Sequence, residues 1–506
     1  MITLYSASLE GLEARLVTVE VDLTPGLHTF SIVGLPDAAV QEAKERVSAA
    51  LKNIGASPPN RQNFRLIVNL APADIRKEGP AFDLPIALGF LLASSQAAFL
   101  SPKSLFVGEL GLDGSLRPIA GALAIALLAR RDGFESLFLP KANAKEAAIV
   151  EGLSIYGISH ITEILRHFEG LALAKEPTTT LAKEGDEPEI NLGYIAGQEH
   201  AKRALEVAAA GGHNLLFVGP PGSGKTLLAR AIPGILPALG REELLEVTQI
   251  ASAAGILPPE AAYVSSRPFR SPHHTASHIA LVGGGSHPKP GEITLAHRGV
   301  LFLDEFPEFS RHVLESLRQP LEDGTIVVAR AQGSIRFPAK FMLVASMNPC
   351  PCGFLDDPKR PCICTVGQVA KYRRKISGPL ADRIDLHVSV PALPYEKLAS
   401  EVVSEPSNAV QSRVEQARTI QRERFAEFGT LTNTEMTIPL IKRFVKLDSA
   451  SEELLRQAVN VFHLSARAYH RVLKVARTIA DLSGSENVNA SDVAEAIQYR
   501  PKLQEL

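Results

Sequence analysis

The chain has 506 residues, of which 45% are hydrophobic and 21% charged, and its formal net charge is −2. This composition is that of a soluble globular protein, and the length suggests roughly three domains. The near-neutral charge excludes an overall basic character, so nucleic-acid binding would need a local basic patch.

Two sequence features exclude targeting and membrane classes. The first residues, MITLYSASLEGLEARLVTVEVD, contain no basic segment followed by an apolar core, as a signal peptide would. The apolar run GFLLASSQAAFL is too short and too polar to span a bilayer. We therefore predict a cytoplasmic protein without a membrane partner.

Residues 1–168 form the first predicted unit, a compact α/β domain. TVEVDLTPGLHTFSIVG predicts two strands around a Pro-Gly turn, and FRLIVNLAP predicts another strand. AAVQEAKERVSAALKNIG predicts a helix that ends at Gly55, and FDLPIALGFLLASS predicts an apolar helix. SLFVGELGLDGSLRPIAGALAIALLARRDG predicts a strand, an Asp-Gly hairpin turn and a helix.

A linker and two further domains follow. Residues 169–191 include a stretch rich in Thr, Glu, Lys and Pro with little apolar periodicity, which is typical of a linker. Residues 192–394 alternate helical and strand patterns, which indicates a parallel-sheet domain. Residues 395–506 are mostly helical in pattern. The predicted fold class is therefore α/β with a helical C-terminal region.

A phosphate-binding loop is the strongest motif in the chain. The apolar strand LLFV runs into GPPGSGKT and then into a helical pattern, the context that a P-loop requires. Backbone N–H groups of such a loop wrap a phosphate. Lys225 is expected to reach the β- and γ-phosphates, and the Thr226 hydroxyl to bind Mg²⁺. The predicted ATP-binding residues of the loop are Gly219, Pro220, Pro221, Gly222, Ser223, Gly224, Lys225 and Thr226.

Two later strand ends supply further candidate catalytic groups. GVLFLDE places Asp304 and Glu305 after four apolar residues. Asp304 fits a carboxylate that orients the Mg²⁺ shell, and Glu305 fits one that polarises the attacking water. FMLVASMNP is another buried-type strand, and its terminal Asn348 could position that water. A turn-capping Asn before Pro349 is the simpler alternative.

All four cysteines of the chain lie in one short stretch, NPCPCGFLDDPKRPCICT. Cys350, Cys352, Cys362 and Cys364 form two Cys-x-Cys pairs joined by a turn-rich segment. Four thiolates satisfy Zn²⁺ as a closed, structural tetrahedral site. An iron–sulfur cluster, disulfides and simple reduced thiols remain open as alternatives.

The combined motifs resemble the AAA+ ATPases. More narrowly, YIAGQEHAKRALEVAAAGGHNLLFVGPPGSGKT, RPFRSPHHTAS, GEITLAHRGVLFLDE and NPCPCG are similar to the magnesium-chelatase-like YifB/ComM family. The resemblance implies an AAA+ P-loop parallel sheet in residues 192–394 and a helical lid of the magnesium-chelatase C-terminal type in 395–506. It also implies a homo-oligomeric ring, expected to be a hexamer, whose ATP sites are shared between neighbours.

The same resemblance assigns roles to residues outside the P-loop. Arg383, in ADRID, matches an arginine finger that reaches the neighbour's γ-phosphate; a structural pair with Asp382 or Asp385 is the alternative. Arg467 matches the sensor-2 arginine of the lid, and Arg471, one turn further, competes for that role. Gly197 and Gln198 match the adenine-side segment.

The N-terminal domain resembles the proteolytic domain of Lon, a fold of the S5 domain 2-like type. The similar segments are RKEGPAFDLPIALG and GELGLDGSLRPIAGALAIALLA. The positions of the Lon nucleophile and base hold Ala81 and Leu123 in this sequence, so the domain is predicted to be proteolytically inactive. A scaffold or a docking site for a protein partner is the role that fits.

Two segments could face a polymer. GTIVVARAQGSIRFP predicts two strands around a turn, similar to a pore hairpin of minichromosome-maintenance helicases, with Arg330 as a candidate phosphate contact. A solvated hairpin charge is the alternative for Arg330. RPFRSPHHTASHIALVGGGSHPKPGEI contains several histidines, but their spacing favours an insert loop near the pore over a metal site.

Two functional hypotheses follow from the resemblance. The first is an ATP-driven ring motor on single-stranded or branched DNA, a branch-migration helicase that acts in recombination of incoming DNA during natural transformation. The second is a chelatase-type chaperone that remodels a protein partner. ATP, Mg²⁺ and structural Zn²⁺ are the expected cofactors in either case.

Overall fold

The computed structural model describes residues 1–59, 63–99, 102–181, 189–259, 261–285, 289–330, 333–355, 357, 360–394 and 405–501. The chain divides into two compact units. The first combines residues 1–183 with 240–264, and the second combines 184–239 with 265–506.

The first unit is built on a seven-stranded mixed sheet. Its strands are Ile2–Glu10, Glu13–Pro25, Thr29–Val33, Phe64–Ala71, Ser104–Phe106, Ser136–Pro140 and Ser154–Ile158. The predicted Asp-Gly hairpin forms a separate antiparallel pair, Glu109–Leu110 with Leu116–Arg117. The helices of the first unit are Ala38–Asn53, Asp83–Ala93, Ala122–Arg131, Lys141–Ala147, Ile161–Phe168 and Arg241–Ala254.

The two strands around the Pro-Gly turn are separated in this sheet by a third strand. Phe64–Ala71 lies between them, antiparallel to Glu13–Pro25 and parallel to Thr29–Val33. The apolar alternation of each strand is satisfied by burial of one face, as at Val19 and Val68, which are both 0% exposed. Periodicity thus predicted the strands, whereas their neighbours depend on packing across the sheet.

Residues 240–264 pack in the first unit, although the sequence placed them within the ATPase core. Leu245 and Tyr263 pack against the apolar cluster of the Ala122–Arg131 helix. Gln249 Nε2 donates to the Leu12 carbonyl oxygen at 2.7 Å. Residues 240–264 therefore bury their apolar side chains in the first unit, and not with the residues next to them in sequence from which the domain boundary was predicted.

The described part of the predicted linker also has partners in the first unit. Residues 171–181 contain no helix or strand. The Thr179 N–H donates to the Ala148 carbonyl oxygen at 3.0 Å, and the Glu176 N–H donates to that of Ile155 at 2.9 Å. This part of the segment therefore lies along the first unit instead of running free.

The second unit contains a parallel five-stranded sheet. In spatial order its strands are Phe269–Arg270, Val300–Leu303, Met342–Met347, Leu215–Val218 and Leu386–Ser389. The inner strands are short apolar runs buried on both faces, which is typical of parallel sheets covered by helices. Their carboxyl ends meet at one edge, where ligands of open α/β sheets bind.

Helices and short strand pairs complete this unit. The helices around the sheet are Glu199–Gly211, Lys225–Arg230, His278–Val282, Glu292–Leu295, Arg311–Ser316, Arg318–Asp323, Val366–Arg373 and Gly378–Ala381. The C-terminal helices are Ser407–Phe425, Ile438–Phe444, Ser449–Phe462, Ala466–Leu482 and Ala490–Gln498. The antiparallel pairs are Gly283–Gly284 with Lys289–Pro290 and Thr325–Arg330 with Gly333–Pro338.

One apolar cluster joins the sheet to the C-terminal helices. It includes Phe217 from the sheet, Val414 from the first of these helices and Ala476 from the helix Ala466–Leu482, each 0% exposed. The helical region and the sheet therefore share one core. Across the helices described, none has the length and apolar character needed to cross a membrane.

A buried histidine lies in the edge strand beside the P-loop strand. His387 is 8% exposed, and neither ring nitrogen has a hydrogen-bond partner among the residues that the structure describes. Burial, followed by the charge of Arg471, lowers the pKa of His387 to about 4. Its pKa in the unfolded chain is about 6.5, so the unfolded state binds the proton more readily.

Stability is therefore expected to fall as the pH drops from about 6.5 towards 4, by about 2 kcal/mol at pH 5 from this histidine alone. A His387→Leu variant should lose that part of the pH dependence, because its buried side chain cannot take up a proton. Urea unfolding followed by circular dichroism at pH 7.5 and pH 5 measures the difference. His28→Asn, at an exposed position, is the control; equal pH dependence in His387→Leu and the unmodified protein would contradict the prediction.

Candidate nucleotide site and cysteine cluster

The P-loop joins the strand Leu215–Val218 to the helix Lys225–Arg230 at the carboxyl edge of the sheet. A side chain at Gly219 would place its Cβ 2.1 Å from the Val390 carbonyl oxygen. Gly224 has a φ of 91°, in the left-handed region that favours glycine. Glycine is therefore needed at Gly219 for the close approach to the Val390 backbone, and at Gly224 for its left-handed conformation.

The Lys225 ammonium lies inside this loop. It donates to the carbonyl oxygens of Gly219 at 2.7 Å and Pro220 at 2.8 Å, and lies 3.3 Å from Asn348 Oδ1. The residue is only 8% exposed, and burial lowers the pKa of its ammonium. The structure thus brings Lys225 and Asn348 together, although 123 positions separate them in sequence.

A hydroxyl and a carboxylate meet beside Lys225. Thr226 Oγ1 donates to Asp304 Oδ2 at 2.8 Å. The Ser346 hydroxyl donates to Asp304 Oδ1, which also accepts the Glu305 N–H at 3.0 Å. Oxygen donors of this kind fit Mg²⁺, which prefers one or two protein ligands and substrate phosphates. Sequence reasoning missed Ser346, although it lies two residues before Asn348 on a strand paired with that of Asp304.

Glu305 contacts a histidine from the Gly/Pro-rich insert. Its backbone is left-handed, with a φ of 51°, and its side chain is 56% exposed. His274 Nδ1 lies 3.3 Å from Glu305 Oε2. The sequence grouped His274 with an insert loop, and the structure places it against the predicted water-activating carboxylate.

Gln198 connects the predicted adenine-side segment to the P-loop. Its side-chain amide donates to the Pro391 carbonyl oxygen at 2.7 Å and to that of Ser223 at 3.3 Å. Gly197 and Gln198 both have positive φ angles, of 56° and 58°. The segment therefore turns sharply beside the loop before the helix Glu199–Gly211 begins.

The four cysteine sulfurs converge. Those of Cys350, Cys352 and Cys362 lie 3.4–3.6 Å apart, and all four lie within 4.8 Å of one another. Zn–S bonds of about 2.3 Å in a tetrahedron imply S–S separations of about 3.8 Å, so the set fits a tetrahedral metal. The N–H groups of Phe354 and Ile363 lower the pKa of the Cys352 thiol to about 6, whereas burial raises the pKa of the Cys364 thiol, so one thiol of the set is the preferred thiolate.

The cysteine segment also packs on the P-loop. A Cβ at Gly353 would lie 2.6 Å from Pro221 Cδ. Only glycine allows this approach, so the segment and the loop are in close contact.

Over the parts of the chain that are described, these four cysteines are the one cluster of three or more His, Cys, Asp or Glu side chains arranged to hold a metal.

The predicted finger and lid arginines make contacts with groups other than those of the P-loop. Arg383 forms an ion pair with Glu322 and donates to the Pro379 carbonyl oxygen at 2.6 Å. The alternative pairing of Arg383 with Asp382 or Asp385 is therefore not the one observed. Arg467, which is 61% exposed, lies 3.9 Å from the same Glu322 carboxylate.

The competing lid arginine has a structural position. Arg471 is 7% exposed and donates to the carbonyl oxygens of Ile384 and Asp382, both at 2.8 Å. Its guanidinium therefore supports the backbone that carries Arg383. Arg471 is therefore held by backbone contacts, whereas Arg467 is 61% exposed and pairs with Glu322.

The predicted hairpin forms, with Thr325 paired to Pro338 and Arg330 to Gly333. The Arg330 side chain and the tip residues 331 and 332 lie outside the described residues. Arg336, on the returning strand, is exposed. It is a second basic candidate that the alternation with buried Phe337 could have indicated.

The positions compared with Lon have backbone roles in the first unit. The Ala81 carbonyl oxygen accepts the Gly108 N–H at 2.8 Å. Leu123 is fully buried, and its N–H donates to Glu146 Oε1 at 2.8 Å. Neither side chain can act as a nucleophile or a base.

Comparisons with known proteins cover nearly the whole chain. Three family models match, described as "Subunit ChlI of Mg-chelatase" over residues 19–143, "Magnesium chelatase, subunit ChlI" over 191–398 and "Magnesium chelatase, subunit ChlI C-terminal" over 404–500. The chain is 44% identical to competence protein ComM of Haemophilus influenzae over 504 residues, which covers 98% of this chain and 96% of ComM. It is 42% identical to the uncharacterized protein YifB of Escherichia coli over 492 residues, covering 97% and 95%.

A more distant match covers only part of the chain. The magnesium-chelatase 38 kDa subunit of Rhodobacter capsulatus is 31% identical over 193 residues, which is 34% of this chain and 54% of that subunit.

Proposed function

This chain belongs to the ComM/YifB family of magnesium-chelatase-like AAA+ proteins, and we propose that it is an ATP-hydrolysing ring motor that acts on DNA. The observation that carries the ATPase part is the convergence of Lys225, Thr226, Asp304 and Asn348 at one edge of the sheet. Full-length similarity to a protein named for competence supports the DNA part. The proposed setting is the cytoplasm.

In this proposal each residue of the site has a defined task. Lys225 neutralises the β- and γ-phosphates, and Thr226 with Asp304 holds Mg²⁺, which supplies positive charge at the phosphates. Glu305 polarises the attacking water, and Asn348 orients it. Gly197 and Gln198 border the adenine.

Hydrolysis is completed across a subunit boundary. Arg383 of a neighbouring copy stabilises the charge on the γ-phosphate in the transition state. The family resemblance implies a ring of six copies, and such a ring would supply each site with an arginine from a neighbour. Ring formation is also the usual state of AAA+ proteins.

The DNA-binding part of the proposal rests on the hairpin of residues 325–338. Arg330 and Arg336 would contact phosphates without reading sequence, and ATP-driven movement of the hairpins would drag a strand. Branch migration of incoming DNA is the activity implied by the family resemblance. The first unit is proposed as a proteolytically inactive scaffold for a protein partner.

A chelatase-type chaperone is the second candidate, supported by the match to the magnesium-chelatase subunit. That match covers 34% of this chain, whereas ComM aligns with 98% of it, which favours the motor. Under the second candidate, ATP turnover would respond to a protein partner and not to DNA.

ATP turnover with and without single-stranded and branched DNA tests the motor. We expect turnover to rise with DNA, branched substrates to be resolved only with ATP, and DNA affinity to fall as salt increases. Lys225→Ala is the control for ATP dependence. No stimulation, no DNA binding at low salt and no branch displacement would refute the motor.

The cysteine cluster is proposed to hold structural zinc at the subunit boundary. Its segment starts after Asn348, packs on Pro221 and leads towards Arg383, so metal binding would fix elements of two neighbouring ATP sites. Four thiolates close the coordination shell, which leaves no open position for catalysis.

Cys362→Ser is therefore expected to impair ring assembly more than nucleotide binding. A loss of about 1.4 kcal/mol in assembly would raise the protein concentration for half-maximal assembly about tenfold. Analytical ultracentrifugation and binding of a fluorescent ATP analogue measure the two effects, and metal analysis reports the zinc. A chelator should reproduce the loss in the unmodified protein and add nothing in Cys362→Ser; normal assembly of zinc-free protein would contradict the proposal.

A further inference from the structure

Glu322 is a carboxylate shared by two arginines from separate parts of the second unit. It lies in the short helix Arg318–Asp323. Its Oε2 pairs with the Arg383 guanidinium, and its Oε1 lies 3.9 Å from Arg467 Nη2. Neither the P-loop pattern nor the family motifs marked Glu322.

The charges explain why one carboxylate lies between these arginines. Two guanidiniums held close together repel, and an anion between them lowers that cost. Arg383 is also held by the Pro379 carbonyl oxygen at 2.6 Å, so its direction is set from two sides. Glu322 therefore fixes the position of Arg383 and attracts Arg467 to the same place.

This carboxylate can be replaced by another anion. The side chains of Glu322 and Arg467 are 56% and 61% exposed and that of Arg383 is 15% exposed, so an anion from solvent would reach the arginine pair from the side that Glu322 and Arg467 occupy. Arginine binds phosphate and carboxylate oxygens with the same planar donor geometry. A phosphate that carries more negative charge can therefore take the place of Glu322 at both arginines.

We propose that Glu322 is a positioning residue that holds Arg383 and Arg467 as a pair until the γ-phosphate of ATP on a neighbouring copy displaces it. The inference rests on the proposed function, in which Arg383 acts on the neighbour's ATP. Under this inference Arg467 binds the same phosphate as Arg383, and the Glu322 carboxylate competes with that phosphate for both arginines. The exchange links nucleotide binding to contact between copies.

Glu322→Gln tests the competition, since it removes the charge and keeps the shape. In full-length protein, the KM for ATP and the protein concentration for half-maximal turnover should each fall roughly threefold to fivefold, the range that an exposed ion pair supports. The kcat should stay within about twofold, because Glu322 does not touch the reacting atoms. Asp323→Asn makes the same charge change one residue away, where the structure shows no ion pair with either arginine, and should leave both values unchanged.

A double variant shows whether the effect passes through the arginine. Glu322→Gln combined with Arg383→Ala should lose the gain and match Arg383→Ala alone, whose kcat is expected to be strongly reduced under the proposed function. Unchanged KM and assembly in Glu322→Gln, with Arg383→Ala impaired, would overturn the role of Glu322 and leave the proposed ATPase intact. A lower kcat with a lower melting temperature in Glu322→Gln would show a purely structural role and overturn the proposal. Normal turnover in Arg383→Ala would overturn both the finger and the inference built on it.

Discussion

ATP hydrolysis by a Lys225→Ala variant is expected to fall by about two to three orders of magnitude, the cost of removing a preorganised group that stabilises transition-state charge. The ammonium is buried and held at 2.7–3.3 Å from three oxygens, so its charge is already in place before nucleotide binds. Water that replaces it would have to reorganise during the reaction. Both the binding of ATP and the chemical step should suffer.

Steady-state turnover and equilibrium binding of a fluorescent ATP analogue separate these losses. Lys375→Ala is a matched control, because that lysine is exposed and pairs with Glu308 at 3.0 Å instead of with the P-loop carbonyl oxygens that hold Lys225. Its turnover should remain near that of the unmodified protein. Lys225→Ala turnover within about threefold of the unmodified protein would contradict the assignment of the P-loop as the hydrolytic site.

The largest effect on stability is expected at Asp481, in the helix Ala466–Leu482. Its carboxylate is fully buried and accepts from Arg424 Nη1 at 2.9 Å, Arg477 Nε at 3.1 Å and Asn433 Nδ2 at 2.7 Å. Asp481→Ala would leave two guanidiniums without their shared counter-charge inside the protein. Breaking a buried ion pair from one side costs about 3–5 kcal/mol.

Urea unfolding of the full chain, followed by circular dichroism, measures this loss as an earlier transition of the second unit. Asp481→Asn keeps the shape and part of the hydrogen bonding, and should fall between Asp481→Ala and the unmodified protein. Glu453→Gln removes an exposed pair with Arg456 in the neighbouring helix and should cause little change. An Asp481→Ala midpoint equal to that of Glu453→Gln would refute the argument.

Buried polar contacts also hold the C-terminal helices in position within the second unit. Arg477, only 1% exposed, donates to the carbonyl oxygens of Glu486 at 2.6 Å and Ser485. Thr478 on the same helix meets His213 Nε2 at 2.8 Å, just before the P-loop strand. The C-terminal helices are thus linked to the sheet by polar contacts as well as by the shared apolar core. A substitution at Asp481 is therefore expected to disturb the position of the P-loop strand as well.

Features confined to one stretch of chain could be predicted from sequence. The P-loop, the strand ends at Asp304 and Asn348 and the hairpin of residues 325–338 all follow from local periodicity, glycine placement and turn residues. The cysteine cluster belongs to the same class, because its two pairs are separated by a short turn-rich segment. In each case the interacting groups are close in sequence, so few alternative arrangements exist.

Features that depend on distant partners could not be predicted. Nothing local to Glu322 reveals that Arg383 and Arg467 will meet there, and the contact of His274 with Glu305 depends on how the insert folds back. The packing of residues 240–264 in the first unit is a further example, because a helical pattern does not indicate which apolar core will bury the helix.

The sequence by itself indicated which chemical groups the candidate site contains: the P-loop lysine, a threonine hydroxyl and an aspartate suited to Mg²⁺, a strand-end amide and four clustered thiols. The tertiary structure decided which of these groups meet and which charges oppose them. Local preferences select helices, strands and turns, whereas long-range contacts are selected by the burial of apolar faces and the pairing of buried charges. Apolar burial and charge pairing depend on the whole chain, so the long-range contacts cannot be predicted from any one segment.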